Sequence, residues 1–182
     1  FSSTITNAAV YGGTGGDSLV FKGAISNSTI DFGADNDTVT FSVAATSTTI
    51  LGGTGADTLV FSSGTNLVTS SLIDGGAGND SVSFGGEFSG STIFGGADND
   101  TLNFSAGVNN NAIVSGDAGS DVLLFSSTIT TAAVYGGAGG DSMVFKGALS
   151  NSTIDFGADN DTVTFSVAAT STTILGGAGA DT

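Results

Sequence analysis

Nine aspartates, Asp17, Asp37, Asp57, Asp80, Asp100, Asp121, Asp141, Asp161 and Asp181, each end a glycine-rich turn, at steps of 20, 20, 23, 20, 21, 20, 20 and 20 residues. A constant step of this size returns the backbone to the same place once per turn of a coil, so the repeated side chain stacks into a column. Here the column is made of carboxylates. Adjacent coils of a parallel solenoid lie ~4.8 Å apart, and like charges at that spacing repel strongly unless cations stand between them. The chemistry open to such a column is the binding of hard cations through oxygen. Three turns carry a further carboxylate two residues earlier, Asp35, Asp98 and Asp159, in every third coil. Each is expected to add an oxygen ligand to its turn.

Composition narrows the alternatives. The chain has 17 acidic residues against two lysines, with no arginine or histidine, for a net charge of −15. Nothing could neutralise phosphates, so nucleic acid is excluded as a partner, and an anionic membrane surface is excluded by the same reasoning. No stretch approaches the 18 apolar residues of a membrane-spanning helix, so direct membrane insertion is not expected. Cysteine is absent, which removes disulfides and thiolate metal sites. High charge can signal disorder, yet 39% of residues are apolar and recur at fixed positions. The chain folds.

The elements that hold the column are legible coil by coil. After Asp17, Ser18-Leu19-Val20-Phe21 alternates as a strand, and a second short strand ends at Ile30 before the next turn. The leading apolar position reads Val10, Ile30, Ile50, Ile73, Ile93, Val114, Val134, Ile154, Ile174. Phenylalanine follows four residues after each of the first eight aspartates, from Phe21 and Phe41 through Phe61, Phe84, Phe104, Phe125 and Phe145 to Phe165, with Phe1 one coil earlier. Such a stripe belongs to the core. Each coil is thus expected to supply two strands and a thin apolar interior that only its neighbours can bury. The fold class is all-β: a parallel β-helix or β-roll solenoid of about nine coils over residues 1–182, roughly 20 residues per coil, with the cation turns on one edge. The three extra residues before Asp80 are placed within residues 62–71, away from the glycine turns, and the extra residue before Asp121 near a turn.

A longer period overlies the short one. Residues 1–58 match residues 125–182 with five differences, an offset of 124 residues or six coils, and even Lys22 and Lys146 recur. Because the chain opens and stops inside a repeat, it is expected to be a piece of a longer repeat protein.

The turn Gly-Gly-x-Gly-x-Asp followed by x-apolar-x, best seen in residues 12–17, 52–57, 75–80 and 136–141, resembles the nonapeptide of the RTX family, the haemolysin-type calcium-binding repeats. The resemblance spans the chain. It implies that the column aspartates and turn carbonyls, from Gly13, Gly15, Gly53, Gly55, Gly76, Gly78, Gly137 and Gly139 in the best copies, share Ca²⁺ ions between successive coils. Calcium suits the residues independently, since it takes six to eight hard oxygens, whereas zinc lacks its nitrogen and sulfur ligands here. Nine turns leave eight gaps, so about eight Ca²⁺, one per gap, would nearly cancel the charge. Two departures from the family stand out. Only one edge carries metal turns, the other being built of stretches such as Ser26-Asn27-Ser28-Thr29; and Phe32, Phe156 and Asp117 replace turn glycines.

Three functions compete. Catalysis by close carboxylates such as Asp35 and Asp37 is disfavoured, because the pair recurs without variation and no histidine, cysteine or arginine accompanies it. A calcium-dependent polysaccharide-modifying module would need Lys22 or Lys146 as its base. Ice binding, or adhesive ligand binding, needs a regular hydroxyl or amide row; the third and fifth turn positions form none, and only Ser18, Thr38, Thr58, Ser81 and Thr101 approach one. The reading that remains is a structural, non-enzymatic calcium-binding segment of a bacterial surface layer, fibril or adhesin stalk. It is expected outside the cell, where calcium is high enough to fill such sites. Apolar residues at outward positions, including Tyr11, Leu51, Phe94, Tyr135 and Leu175, suggest self-association with neighbouring copies. Asn27-Ser28-Thr29 and Asn151-Ser152-Thr153 fit both a glycosylation pattern and turn chemistry.

Overall fold

A computed structural model describes residues 1–62 and 67–182. All of its named elements are β-strands. The chain winds as a parallel β-solenoid of three sheets around one interior, each strand pairing in parallel with its equivalents in the coils before and after. In the second coil the strands are Ile25–Ser26, Thr29–Ala34 and Thr38–Phe41. Their equivalents build a first sheet of nine two-residue strands, a second of nine longer strands and a third of eight. The coil therefore has three strands, not the two expected. The additional one is Ile25–Ser26 and its equivalents, too short for alternation to reveal.

Register follows the predicted stacks. Val10 pairs with Ile30, Leu19 with Val39 and Phe21 with Phe41. The irregular steps fall at corners. Phe41 pairs with Phe61 while Ala45 pairs with Val68, which confines the three-residue excess to the stretch between Phe61 and Val68, at the corner between the third and first sheets. Residues 63–66 of that stretch lie outside the described residues. Before Asp121 the extra residue lies between Asn109 and Ile113, where Asn110 and Asn111 take successive left-handed angles (φ 56° and 61°).

The phenylalanine column is the spine of the core. Rings from Phe1 to Phe165 stack at centroid distances of 4.5–5.0 Å and stay within 12° of parallel. This offset stacking adds to the area term that buries each ring. Phe88, from the first sheet, meets Phe104 edge-on at 5.5 Å.

The corner between the first and second sheets carries no acidic side chain in its turn. Each coil places a residue there in the left-handed region, two in the coil of Asn110 and Asn111; others are Asn27 (φ 48°), Ser47 (51°), Thr131 (52°) and Asn151 (49°). In most coils the next residue is a serine or threonine, and in the coils of Ala8, Ala112 and Ala132 an alanine. Ser28 Oγ donates to the Ser26 carbonyl at 2.8 Å and accepts the Ala8 amide at 3.2 Å. Ser71 repeats this with Thr69 and Thr48, Ser91 with Ser89 and Ser71, and Ser152 with Ser150 and Ala132. A hydroxyl ladder thus satisfies the buried amides of this edge with neutral groups. It also explains Asn27-Ser28-Thr29 and Asn151-Ser152-Thr153 as turn chemistry.

Removing one ring from the middle of the stack leaves a cavity that its neighbours cannot close. Phe104→Ala is expected to lower stability by about 3–5 kcal/mol, read by urea unfolding in calcium-containing buffer. A loss below about 1 kcal/mol would contradict a tightly packed spine.

Candidate metal column

The turn between the second and third sheets gathers the nine aspartates into the predicted column. From Asp37 to Asp161, each uses three of its four polar groups to clamp the next or previous coil. The amide of Asp17 donates to Asp37 Oδ1 at 2.6 Å, Asp57 to Asp80 Oδ1 at 2.8 Å and Asp80 to Asp100 Oδ1 at 2.7 Å, and the series runs on to Asp161 and Asp181 at 3.2 Å. The Asp17, Asp37, Asp57 and Asp80 carbonyls accept the amides of Thr38, Thr58, Ser81 and Thr101 at 2.8 Å. The fourth group is left over. Oδ2 of Asp17, Asp37, Asp57, Asp80, Asp100, Asp121, Asp141 and Asp161 is buried without a hydrogen-bond partner, and among the described residues only Asn109 Oδ1 shares that condition. Asp37 through Asp161 are themselves only 1–2% exposed. Eight orphan carboxylate oxygens match eight gaps between nine turns. Orphaned charge on this scale calls for cations.

A second oxygen faces six of the orphans, those of Asp17, Asp57, Asp80, Asp100, Asp121 and Asp141. A Cβ at Gly95 would lie 2.6 Å from Asp100 Oδ2 and 2.6 Å from the Gly116 carbonyl of the next coil. The same point is bracketed at Gly12 by Asp17 Oδ2 (2.6 Å) and the Phe32 carbonyl, at Gly52 by Asp57 Oδ2 (2.8 Å) and the Gly75 carbonyl, and at Gly75 by Asp80 Oδ2 (2.6 Å) and the Gly95 carbonyl. Gly116 and Gly136 repeat the pattern. The first glycine of the turn, an inward-facing position of the second sheet, thus leaves a small oxygen-lined cradle. These donors fit calcium, which accepts carboxylate and carbonyl oxygen alike. Sequence reasoning named the second and fourth glycines and missed this first one. Its signal was a residue without a side chain at an inward position whose neighbours are large and apolar.

The fourth turn position points elsewhere. A Cβ at Gly55, Gly78, Gly119, Gly139 or Gly179 would collide with the carbonyl of the fourth residue one coil earlier, so a side chain here projects into the preceding gap. Asp35, Asp98 and Asp159 occupy it at φ 75°, 76° and 79°, against 91–149° for the glycines. Aspartate tolerates this region better than most residues. Asp35 Oδ2 accepts the Gly15 amide of the preceding coil at 3.0 Å. All three are exposed, and among the described residues no three carboxylates converge into a closed side-chain site. Carbonyl oxygens must complete any shell. Asp117, at a second-glycine position (φ 73°), leaves the column: its carboxylate takes the Ser115 hydroxyl on the outer face of the second sheet.

Electrostatics record the strain in the column. Burial pushes Asp80 up to about 6, Asp100 to about 7, Asp121 to about 6 and Asp141 to about 7 from an ordinary 3.8, and neighbouring aspartates add to the rise. Amide donation from the adjacent coil opposes the shift without cancelling it. Burial likewise raises Asp57 and Asp161. Asp98 acts on both Asp80 and Asp100, and Asp159 on both Asp141 and Asp161, as expected of side chains lying between those coils. On the outer face, burial and then the Asp117 charge raise Asp74.

A cleft of about 670 Å³ lies at the other corner and is lined by residues such as Ser47, Thr49, Ser70, Leu72 and Phe94, with no titratable side chain. Residues 49–68, 70–87 and 91–110 match the family model described as the RTX calcium-binding nonapeptide repeat (4 copies). No curated protein and no solved structure matches the chain.

The raised acidities fix the sign of a pH dependence. A carboxyl that holds its proton more tightly when folded contributes stability that is full below the unfolded value, near 3.8, and is lost as pH rises through about 6 to 7. Calcium-stripped protein is therefore expected to show β-sheet circular dichroism at pH 4 that fades between pH 5 and 8, while calcium-loaded protein keeps it throughout. A stripped spectrum constant from pH 4 to 8 would contradict the burial of these carboxylates.

Proposed function

The chain is a β-solenoid of the RTX calcium-binding repeat family, and from that premise we propose that it is a structural segment of an extracellular bacterial surface assembly that folds and stiffens as calcium fills its turns. The observation that carries the proposal is the row of eight partnerless Oδ2 atoms, six of them beside a next-coil carbonyl. Asp17, Asp37, Asp57, Asp80, Asp100, Asp121, Asp141, Asp161 and Asp181 supply the carboxylates, and turn carbonyls supply the remaining protein oxygens. Asp35, Asp98 and Asp159 add negative charge to the gaps before their own coils, which strengthens binding there. Calcium supplies the countercharge that lets neighbouring coils close on one another.

Export follows from the same physics. Without calcium the acidic turns repel and the chain stays expanded; outside the cell, millimolar calcium drives it shut. A stack of near-identical coils can be lengthened without redesign, which suits a lattice component, fibre or stalk. Lateral contact between copies has a candidate surface on the second sheet. Its outer column alternates Tyr11, Leu51, Phe94, Tyr135 and Leu175 with Asp31, Asp74, Ser115 and Asp155, and Tyr11 is 71% exposed. Ice binding is less well supported. The hydroxyl column of the third sheet is broken by Val122, and the column beside it mixes Val20, Thr40, Ser83, Asn103 and Leu124.

At pH 7.5 the protein in chelator is expected to give a disordered circular dichroism spectrum, and addition of millimolar calcium to give a β-sheet spectrum with a sharp drop in hydrodynamic radius. An identical β-sheet spectrum with and without chelator would sink the calcium-driven part of the proposal.

A further inference from the structure

The column is not uniform, and two of its gaps differ from the rest. In coils whose turn starts with glycine, the empty Cβ position faces the orphan Oδ2 of the same coil and, in Gly12, Gly52, Gly75, Gly95, Gly116 and Gly136, a carbonyl of the next coil. In the second and eighth coils that position is filled by Phe32 and Phe156. Both rings point inward; Phe32 is fully buried and Phe156 is 9% exposed. They lean on the phenylalanine spine, with centroids 6.5 Å from Phe41 and 6.4 Å from Phe165. Hydrocarbon thus stands at the mouth of the cradle between coils two and three, and again between coils eight and nine. The six other gaps keep theirs open.

We propose that Phe32 and Phe156 close these two gaps to calcium, so that the chain binds six ions rather than eight and the ion column is interrupted once in every six-coil unit. The inference rests on the calcium reading above and refines it. Six of the orphan oxygens, those of Asp17, Asp57, Asp80, Asp100, Asp121 and Asp141, receive an ion; those of Asp37 and Asp161 do not. At the two closed gaps the coils are held instead by buried aromatic surface and by the backbone clamps of the aspartates, which are retained at 2.8 Å from Asp37 to Asp57 and 3.2 Å from Asp161 to Asp181. Aromatic burial is indifferent to calcium. The 124-residue unit therefore alternates a calcium-held block with a calcium-independent joint.

Position in the repeat supports a designed interruption. Phe32 and Phe156 are 124 residues apart, and each directly follows a gap strengthened by a fourth-position aspartate, Asp35 and Asp159 respectively. The fifth coil has such an aspartate, Asp98, but keeps Gly95 and an open cradle.

Equilibrium dialysis of the whole chain against calcium, with metal counted by mass spectrometry, tests this directly. The wild type is expected to bind about six Ca²⁺, and the Phe32→Gly/Phe156→Gly variant about eight. Eight ions on the wild type would overturn the closure while leaving the calcium reading intact; no bound calcium at all would overturn both. Should the double glycine variant fail to fold, the reverse change, Gly95→Phe, supplies a second arm. It is expected to lose one ion, and retention of all six would count against the proposal.

Discussion

The structure depends on a row of carboxylates that the backbone forces together. Parallel pairing sets the spacing of the coils, and the turn amide of one column aspartate pins Oδ1 of the next to the coil before it. The charges cannot drift apart without unzipping the turn. At ~4.8 Å and an effective dielectric of about 20, each neighbouring pair of unneutralised carboxylates repels by roughly 3 kcal/mol. Either a proton or a cation must relieve this. The raised acidities of Asp100 and Asp141 and the unpartnered Oδ2 atoms express the same unmet demand.

The remaining architecture makes the demand local. On the opposite corner a ladder of serine hydroxyls satisfies buried amides with neutral groups. Between the corners the stacked phenylalanines give each coil an apolar contact with the next, whatever the solution contains. The glycine corner alone carries the column of carboxylates. A solenoid built this way gathers its carboxylate column at one edge, while the hydroxyl ladder and the aromatic spine are neutral.

Much of this was legible in the residues. The 20-residue step, the Val10–Ile30 stack and the Phe21–Phe41 stack are periodic signals with one physical meaning, and the pairing follows them residue for residue. The third strand was not legible, because Ile25–Ser26 is too short to alternate and its neighbours Asn27 and Ser28 read as loop. The hydroxyl ladder was hidden for a related reason: Ser28, Ser71 and Ser91 resemble solvated turn residues until the corner folds them inward. In the turn, the aspartates announced the column, but the role of the first glycine emerged only when its missing Cβ was seen facing two oxygens. Asp117 shows the limit of motif reading, since strand alternation sends its carboxylate to the outer face and away from the column.

The most direct test is to look for the ions. Crystals grown with millimolar calcium, measured at long wavelength for anomalous scattering, should show a file of peaks along the glycine corner, each against an aspartate Oδ2 and spaced by whole multiples of the distance between coils. An intact solenoid whose anomalous map is empty along that corner would contradict the account.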